Sequence, residues 1–184
     1  MKHLLLSLFL TFGLVQPAAA VTMGDDGLHK AAWMRDTFKD MAEDLAEAQA
    51  EGRVLMILIE QRGCIYCRRM HETVFNQPQI ESLLDAHFFV VQLDLRGATE
   101  MYDFDGTALS EKDMAARWGQ RFTPIMMFFD QSPQEGLSTQ EAAFALIPGA
   151  LELEETHSLL LWASDADARN TMTLNDFHAA RTGN

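Results

Sequence analysis

The chain has 184 residues, of which 48% are hydrophobic and 22% charged, with two cysteines and a formal net charge of −13. So acidic a balance excludes a protein built to hold nucleic acid or an anionic membrane surface, and a single cysteine pair excludes a small disulfide-stapled scaffold. The length suits one domain with a sizeable core.

Met1-Lys2-His3 is followed by the apolar run Leu4 to Val15 and by Pro17-Ala18-Ala19-Ala20, before the chain turns polar at Gly24-Asp25-Asp26. A basic start, a short apolar stretch and small closing residues predict a cleaved secretory signal over 1–20 rather than a membrane span. Its removal takes away Lys2 and no acidic residue, leaving 164 residues with net charge −14. No later segment is long and apolar enough to span a bilayer, so no stable membrane insertion is expected. Secretion places the cysteine pair in an oxidising compartment.

From Leu28 to Ala50 apolar side chains recur at Trp33, Met34, Phe38, Met41, Leu45 and Ala48, the stripe of an amphipathic helix that packs on a core and stops near Gly52. This predicts an N-terminal helical extension over 21–50. Val54-Leu55-Met56-Ile57-Leu58-Ile59 is a continuous, branched apolar run too short for a typical helix, as expected of a central strand covered on both faces. At its C-terminal end, where open α/β sheets normally carry their chemistry, stand Glu60-Gln61-Arg62-Gly63 and then Cys64-Ile65-Tyr66-Cys67.

Two cysteines three apart, between a strand and a helix, point to a dithiol/disulfide couple. Cys64, at the head of the helix, meets unpaired backbone N–H groups that favour its thiolate and is assigned as nucleophile; Cys67, one turn further in, is the resolving thiol. Competing readings are a metal site with His71 as a third ligand, although tetrahedral zinc wants four ligands, and an inert structural disulfide, although so small a ring restrains little of the unfolded chain. Met126-Met127 add soft Cu(I) to the metal reading, against packing as the ordinary use of core methionines. No metal and no cofactor beyond the redox-active Cys64–Cys67 disulfide are expected. Arg62, Arg68 and Arg69 crowd the motif and either lower the Cys64 pKa by charge or are solvated. His71 is expected at the helix surface.

The helix from Cys64 should run to Phe75, break at Pro78 and resume over Gln79 to Ala86. Phe88 to Leu95 is the second strand, giving a right-handed parallel β-α-β unit. Arg96 to Thr107, with its Asp105-Gly106 turn signal, predicts a loop or small hairpin, and Ser110 caps a helix that stops at Gly119. Arg121-Phe122-Thr123-Pro124 leads into the buried strand Ile125 to Phe129, followed by a turn over 130–136. Ala142 to Pro148 should form an antiparallel edge strand. Leu151 to Trp162 is the last clear helix, with Leu153, Leu160 and Leu161 as core residues. In the polar tail over 164–184, Leu174 and Phe177 are placed to dock a short helix.

Cys64-Ile65-Tyr66-Cys67 after a buried strand, Thr123-Pro124 before the next and Gly149 at the end of the last resemble the thioredoxin superfamily across 51–163. The resemblance implies an α/β thioredoxin-like fold, a central four- to five-stranded mixed sheet flanked by helices, with the N-terminal helix and C-terminal extension added. It assigns to Pro124 a cis peptide bond against the cysteines and to Thr123 a backbone contact with bound substrate. Ile65 and Tyr66, between the cysteines, are taken as substrate-binding residues, the Tyr66 ring either closing over the thiols or packing in the core. Within the superfamily, Glu60-Gln61-x-Gly63-Cys64-x-Tyr66-Cys67 in a secreted chain is similar to SoxW-like periplasmic thioredoxins. That likeness implies a thiol:disulfide oxidoreductase in the periplasm of a Gram-negative bacterium, reducing protein or small-thiol disulfides and recharged by a membrane thiol electron donor. Disulfide oxidase or isomerase, and a non-enzymatic module with a structural disulfide or metal, are the alternatives. The chain departs from the family at Leu58, which occupies the position of the family's buried acid. Glu60 is the nearest acid and is either a proton acceptor for Cys67 or a solvated strand-end residue.

Overall fold

A computed structural model describes residues 22–131 and 138–183; the expected signal at 1–20 and most of the expected turn at 130–136 lie outside them. Five strands form one mixed sheet in the order β3 (Met34–Arg35), β5 (Phe88–Asp94), β4 (Val54–Glu60), β8 (Ile125–Phe129), β9 (Ala145–Pro148). All seven residues of β4 are buried, which is why it takes the centre, parallel to β5 and antiparallel to β8. β9, with Pro148, is the antiparallel edge.

The period of two along these strands sorts the core into two layers. Val54, Met56 and Leu58 face Met70, Val74, Ile80, Leu84, Leu159 and Leu160, which come from α2 (Ile65–Met70), the π-type turn His71–Phe75, α3 (Pro78–His87) and α6 (Leu153–Ser164). Leu55, Ile57 and Ile59 face Met41, Leu45, Met114 and Trp118, on or beside α1 (Met41–Ala50) and α4 (Glu111–Arg117). Each fully buried aliphatic side chain contributes roughly 1.5–3 kcal/mol. The short hairpin β6 (Glu100–Tyr102) and β7 (Ala108–Ser110) fills the expected insertion, and Ser110 accepts the Asp113 N–H as N-cap of α4.

The helix expected from Leu28 is half wrong. Only Met41–Ala50 is helical, because Asp40 accepts the N–H groups of Ala42 and Glu43 and starts the helix there. Ahead of it lie a two-residue ladder, β1 (Thr22–Met23) with β2 (His29–Lys30), and then β3, which pairs Met34 and Arg35 with Val90 and Val91. Leu28 and Trp33 are buried, whereas Phe38 is 91% exposed, so the apolar spacing of this strap was not a helix face. At the other end, a helical turn, α5 (Thr139–Ala142), takes the start of the expected edge strand. Leu159 replaces Leu161 in the core. The tail forms α7 (Ala166–Thr171) and α8 (Leu174–Thr182), with Leu174 and Phe177 packed on the core. No helix among the described residues is long and apolar enough to cross a membrane.

Asp44 is buried on α1, accepting the Thr37 hydroxyl at 3.1 Å. Burial, with Asp40, Glu47 and Glu43 adding repulsion, pushes its pKa from 3.8 up to about 6. The folded chain therefore holds a proton that the unfolded chain has released, and the associated stability is lost as pH rises through 6. Asp44→Asn is expected to stabilise the protein by about 1–2 kcal/mol above pH 6. That gain should shrink to nothing near pH 4 when melting temperatures are compared across pH.

Candidate functional site

β4 and β5 end side by side, and the Leu95 N–H donates to the Glu60 carbonyl at 2.7 Å. Beyond Glu60 the chain turns at Gly63, whose φ of 75° lies in the left-handed region that glycine adopts without penalty. Cys64 is then extended and serves as the N-cap of α2, its Sγ accepting the Cys67 N–H at 3.0 Å. Cys64 and Cys67 form a disulfide, with Cα atoms 5.3 Å apart. Cys64 keeps 9% of its surface and Cys67 2%. The pair thus ranks in the expected order, but Cys64 is more covered than a freely exposed helix-terminal thiol.

Ile65 and Tyr66 point outward, which places the Tyr66 ring at the surface rather than in the core. On the facing strand, Ile125 pairs with Ile59, so Thr123 and Pro124 lie just past that pair, at the end of the sheet from which Cys64 emerges. The Thr123–Pro124 bond is cis. Pro124 is buried, its carbonyl accepts the Gly149 N–H at 2.9 Å, and the Thr123 Oγ1 is buried without a partner. Phe122 is exposed beside it. Arg62 donates to the Asp26 carbonyl, Arg68 lies 4.0 Å from Glu72, and Arg69 pairs with Glu152. The guanidiniums around the motif are thus engaged with other partners.

At His71 the structure departs from expectation, and of the two readings of Glu60 it removes the solvated one. Glu60 is not a solvated strand end, and His71 is not a surface residue; both are fully buried. The His71 Nε2 lies 3.0 and 3.1 Å from the two carboxylate oxygens of Glu60. Period two along β4 puts Glu60 on the face of Leu58 and Met56, and four residues on a helix separate His71 from Cys67. The family's acid position, Leu58, is core. The acid sits two residues further along the same strand face.

Gln92 pairs with Leu58 across the parallel register and reaches the same pocket. Its Nε2 donates to Glu60 at 2.6 Å and to the His29 carbonyl at 2.8 Å, while the Lys30 Nζ donates to its Oε1 at 2.7 Å. The N-terminal strap closes the other side, with the His29 ring stacked on His71 at 4.8 Å and Trp33 parallel to it at 6.3 Å. Burial, then the neighbouring His71, lower the His29 pKa. His71 Nδ1 and Trp33 Nε1 are buried with no hydrogen-bond partner. His71 thus meets Glu60 through Nε2, and among the described residues no three His, Cys, Asp or Glu side chains form a group that could hold a metal ion.

Sequence reasoning misplaced His71 and missed Gln92 and His29. The i, i+4 spacing from Cys67 was a usable signal for the first; nothing local marked the other two.

A thioredoxin-like domain family matches residues 41–160. Among solved structures, the chain is similar to a thioredoxin-fold protein from Helicobacter pylori, at 13% identity and TM-score 0.58 over 86% of this chain and 94% of that one. It is also similar to a thioredoxin from Thermus thermophilus, at 25% identity and TM-score 0.48 over 66% and 82%. The oxidised C-terminal domain of DsbD from Neisseria meningitidis is similar at 15% identity and TM-score 0.45 over 66% and 90%. No curated protein matches the chain.

Proposed function

Since this chain belongs to the thioredoxin-like domain family, we propose that it is a thiol:disulfide oxidoreductase that works as a reductase. The reading rests on one observation: a Cys64–Cys67 disulfide at the end of the central strand, its more exposed residue being the helix-capping Cys64. In the reduced protein the Cys64 thiolate, favoured by the Cys67 N–H, attacks a substrate disulfide; one substrate thiolate leaves and a mixed disulfide forms. Cys67 then gives up its proton and attacks the Cys64 sulfur, expelling the second substrate thiolate. Two electrons pass to the substrate and the pair ends oxidised.

Glu60, backed by His71, is the group assigned to take the Cys67 proton. Ile65, Tyr66 and Thr123 line the approach of the substrate chain beside Pro124. The SoxW-like motif and the signal-type residues 1–20 support a periplasmic setting in a Gram-negative bacterium, with a membrane thiol donor restoring the dithiol.

Titration of the Cys64–Cys67 couple against a redox buffer tests the direction. A midpoint near −270 mV, as for thioredoxin, is the expected result, and one near −120 mV makes the protein an oxidant instead.

A further inference from the structure

Eight of the thirteen Lys and Arg side chains among the described residues stand within ion-pair distance of a carboxylate. In a chain of net charge −13 such pairing is the expected fate of a cation. Arg96, Lys112 and Arg121 are exceptions. All three are exposed, none has a carboxylate within ion-pair distance among the described residues, and together with Ala116 and Gln120 they line one open concavity of about 500 Å³.

Three separate elements bring them there. Arg96 follows the end of β5 beside Glu60, Lys112 stands in the first turn of α4, and Arg121 precedes Phe122, Thr123 and Pro124. The Lys112 N–H donates to the Gly97 carbonyl at 3.1 Å, which ties α4 to the loop after β5. A Cβ on Gly97 would meet the Glu111 carboxylate at 1.9 Å, so any larger residue there would have to displace that side chain. Carboxylates on the same elements have partners other than these three cationic side chains. Glu111 pairs with Lys39, Asp113 accepts the Ser110 hydroxyl, and Asp94 accepts the Arg96 N–H.

We propose that this basic concavity is the docking surface for an acidic polypeptide segment flanking the substrate disulfide. The inference rests on the oxidoreductase reading above and adds the class of substrate. A concavity that opens to solvent, with cations spread over three elements, fits carboxylates spaced along an extended chain, and exposed Phe122 offers that chain an apolar contact next to the cis-proline. At about 0.1 M salt the screening length is about 10 Å, so a docked segment senses these three charges and not the distant acidic surface.

The test compares reduction of a disulfide peptide flanked by glutamates with the same peptide flanked by lysines, each normalised to the rate on hydroxyethyl disulfide. At about 0.1 M salt the glutamate peptide should win by roughly tenfold in kcat/KM, and the gap should close at about 1 M salt. The triple variant Arg96→Glu, Lys112→Glu, Arg121→Glu should abolish or reverse the preference. Equal rates on the two peptides overturn the proposal.

A second arm uses a glutamate-rich peptide without cysteine, whose binding is read by fluorescence anisotropy. Weaker binding to the triple variant supports the surface, and unchanged binding overturns it. Should no disulfide be reduced at all, the oxidoreductase reading fails, and this arm still decides the docking surface.

Discussion

Cys64→Ser is expected to abolish disulfide reduction, lowering the rate at least about 10³-fold, because a serine hydroxyl cannot supply the thiolate that carries the electrons. Cys67→Ser should behave differently. Its Cys64 still attacks, releases one substrate thiol per protein molecule and stops, so the mixed disulfide accumulates and is visible by mass or on a non-reducing gel. The asymmetry follows from position: Cys64 caps α2 and retains some solvent contact, whereas Cys67 lies beneath it with 2% of its surface exposed. Turnover by Cys64→Ser, or trapping by that variant and not by Cys67→Ser, would reverse the roles.

The largest loss of stability is expected from His71→Ala. It removes the imidazole that faces both oxygens of a fully buried Glu60 and leaves the carboxylate with Gln92 as its remaining side-chain partner. Leaving a buried hydrogen-bonding group without its partner costs about 1–3 kcal/mol and the emptied imidazole site adds a cavity cost, together about 3 kcal/mol, which for a chain this size is a fall of roughly 10 °C in Tm. Glu60→Gln keeps one oxygen acceptor and the side-chain volume, so it should cost far less stability while slowing the second thiol exchange roughly 100-fold, with the mixed disulfide persisting.

The double variant Glu60→Met, His71→Leu separates the two roles. An apolar pair of similar volume should recover most of the stability lost in His71→Ala, yet resolve mixed disulfides as slowly as Glu60→Gln. Resolution at the wild-type rate in the double variant would reduce the pair to a packing device.

Within the strap, His29 couples this pair to segment 22–40, which lies outside the 41–160 family match. The Gln92 bond to the His29 carbonyl and the Lys30 bond to Gln92 fasten that segment over the pocket. Removing residues 22–33 would therefore open Glu60 and His71 to water as well as take away the β1–β2 ladder.

Much of this architecture was legible in the amino-acid order. An unbroken branched run specified Val54–Glu60 as the covered central strand, because only burial on both faces tolerates such a sequence. Asp105-Gly106 marked the hairpin, Ser110 with an acidic third position marked α4, and the cysteine spacing between strand and helix marked the pair that the structure joins in a disulfide. These are local signals, set by backbone conformation and nearest-neighbour hydrogen bonds. What tertiary structure alone decided was the fate of residues whose partners are far away in the chain. Met34–Arg35 became a strand because β5 offered an edge 56 residues on, not because of their own spacing. Glu60 became an interior acid because Gln92 and His71 converge on it. Periodicity reports which way a side chain points, but whether a charge can be held out of water depends on the partners the fold delivers to it.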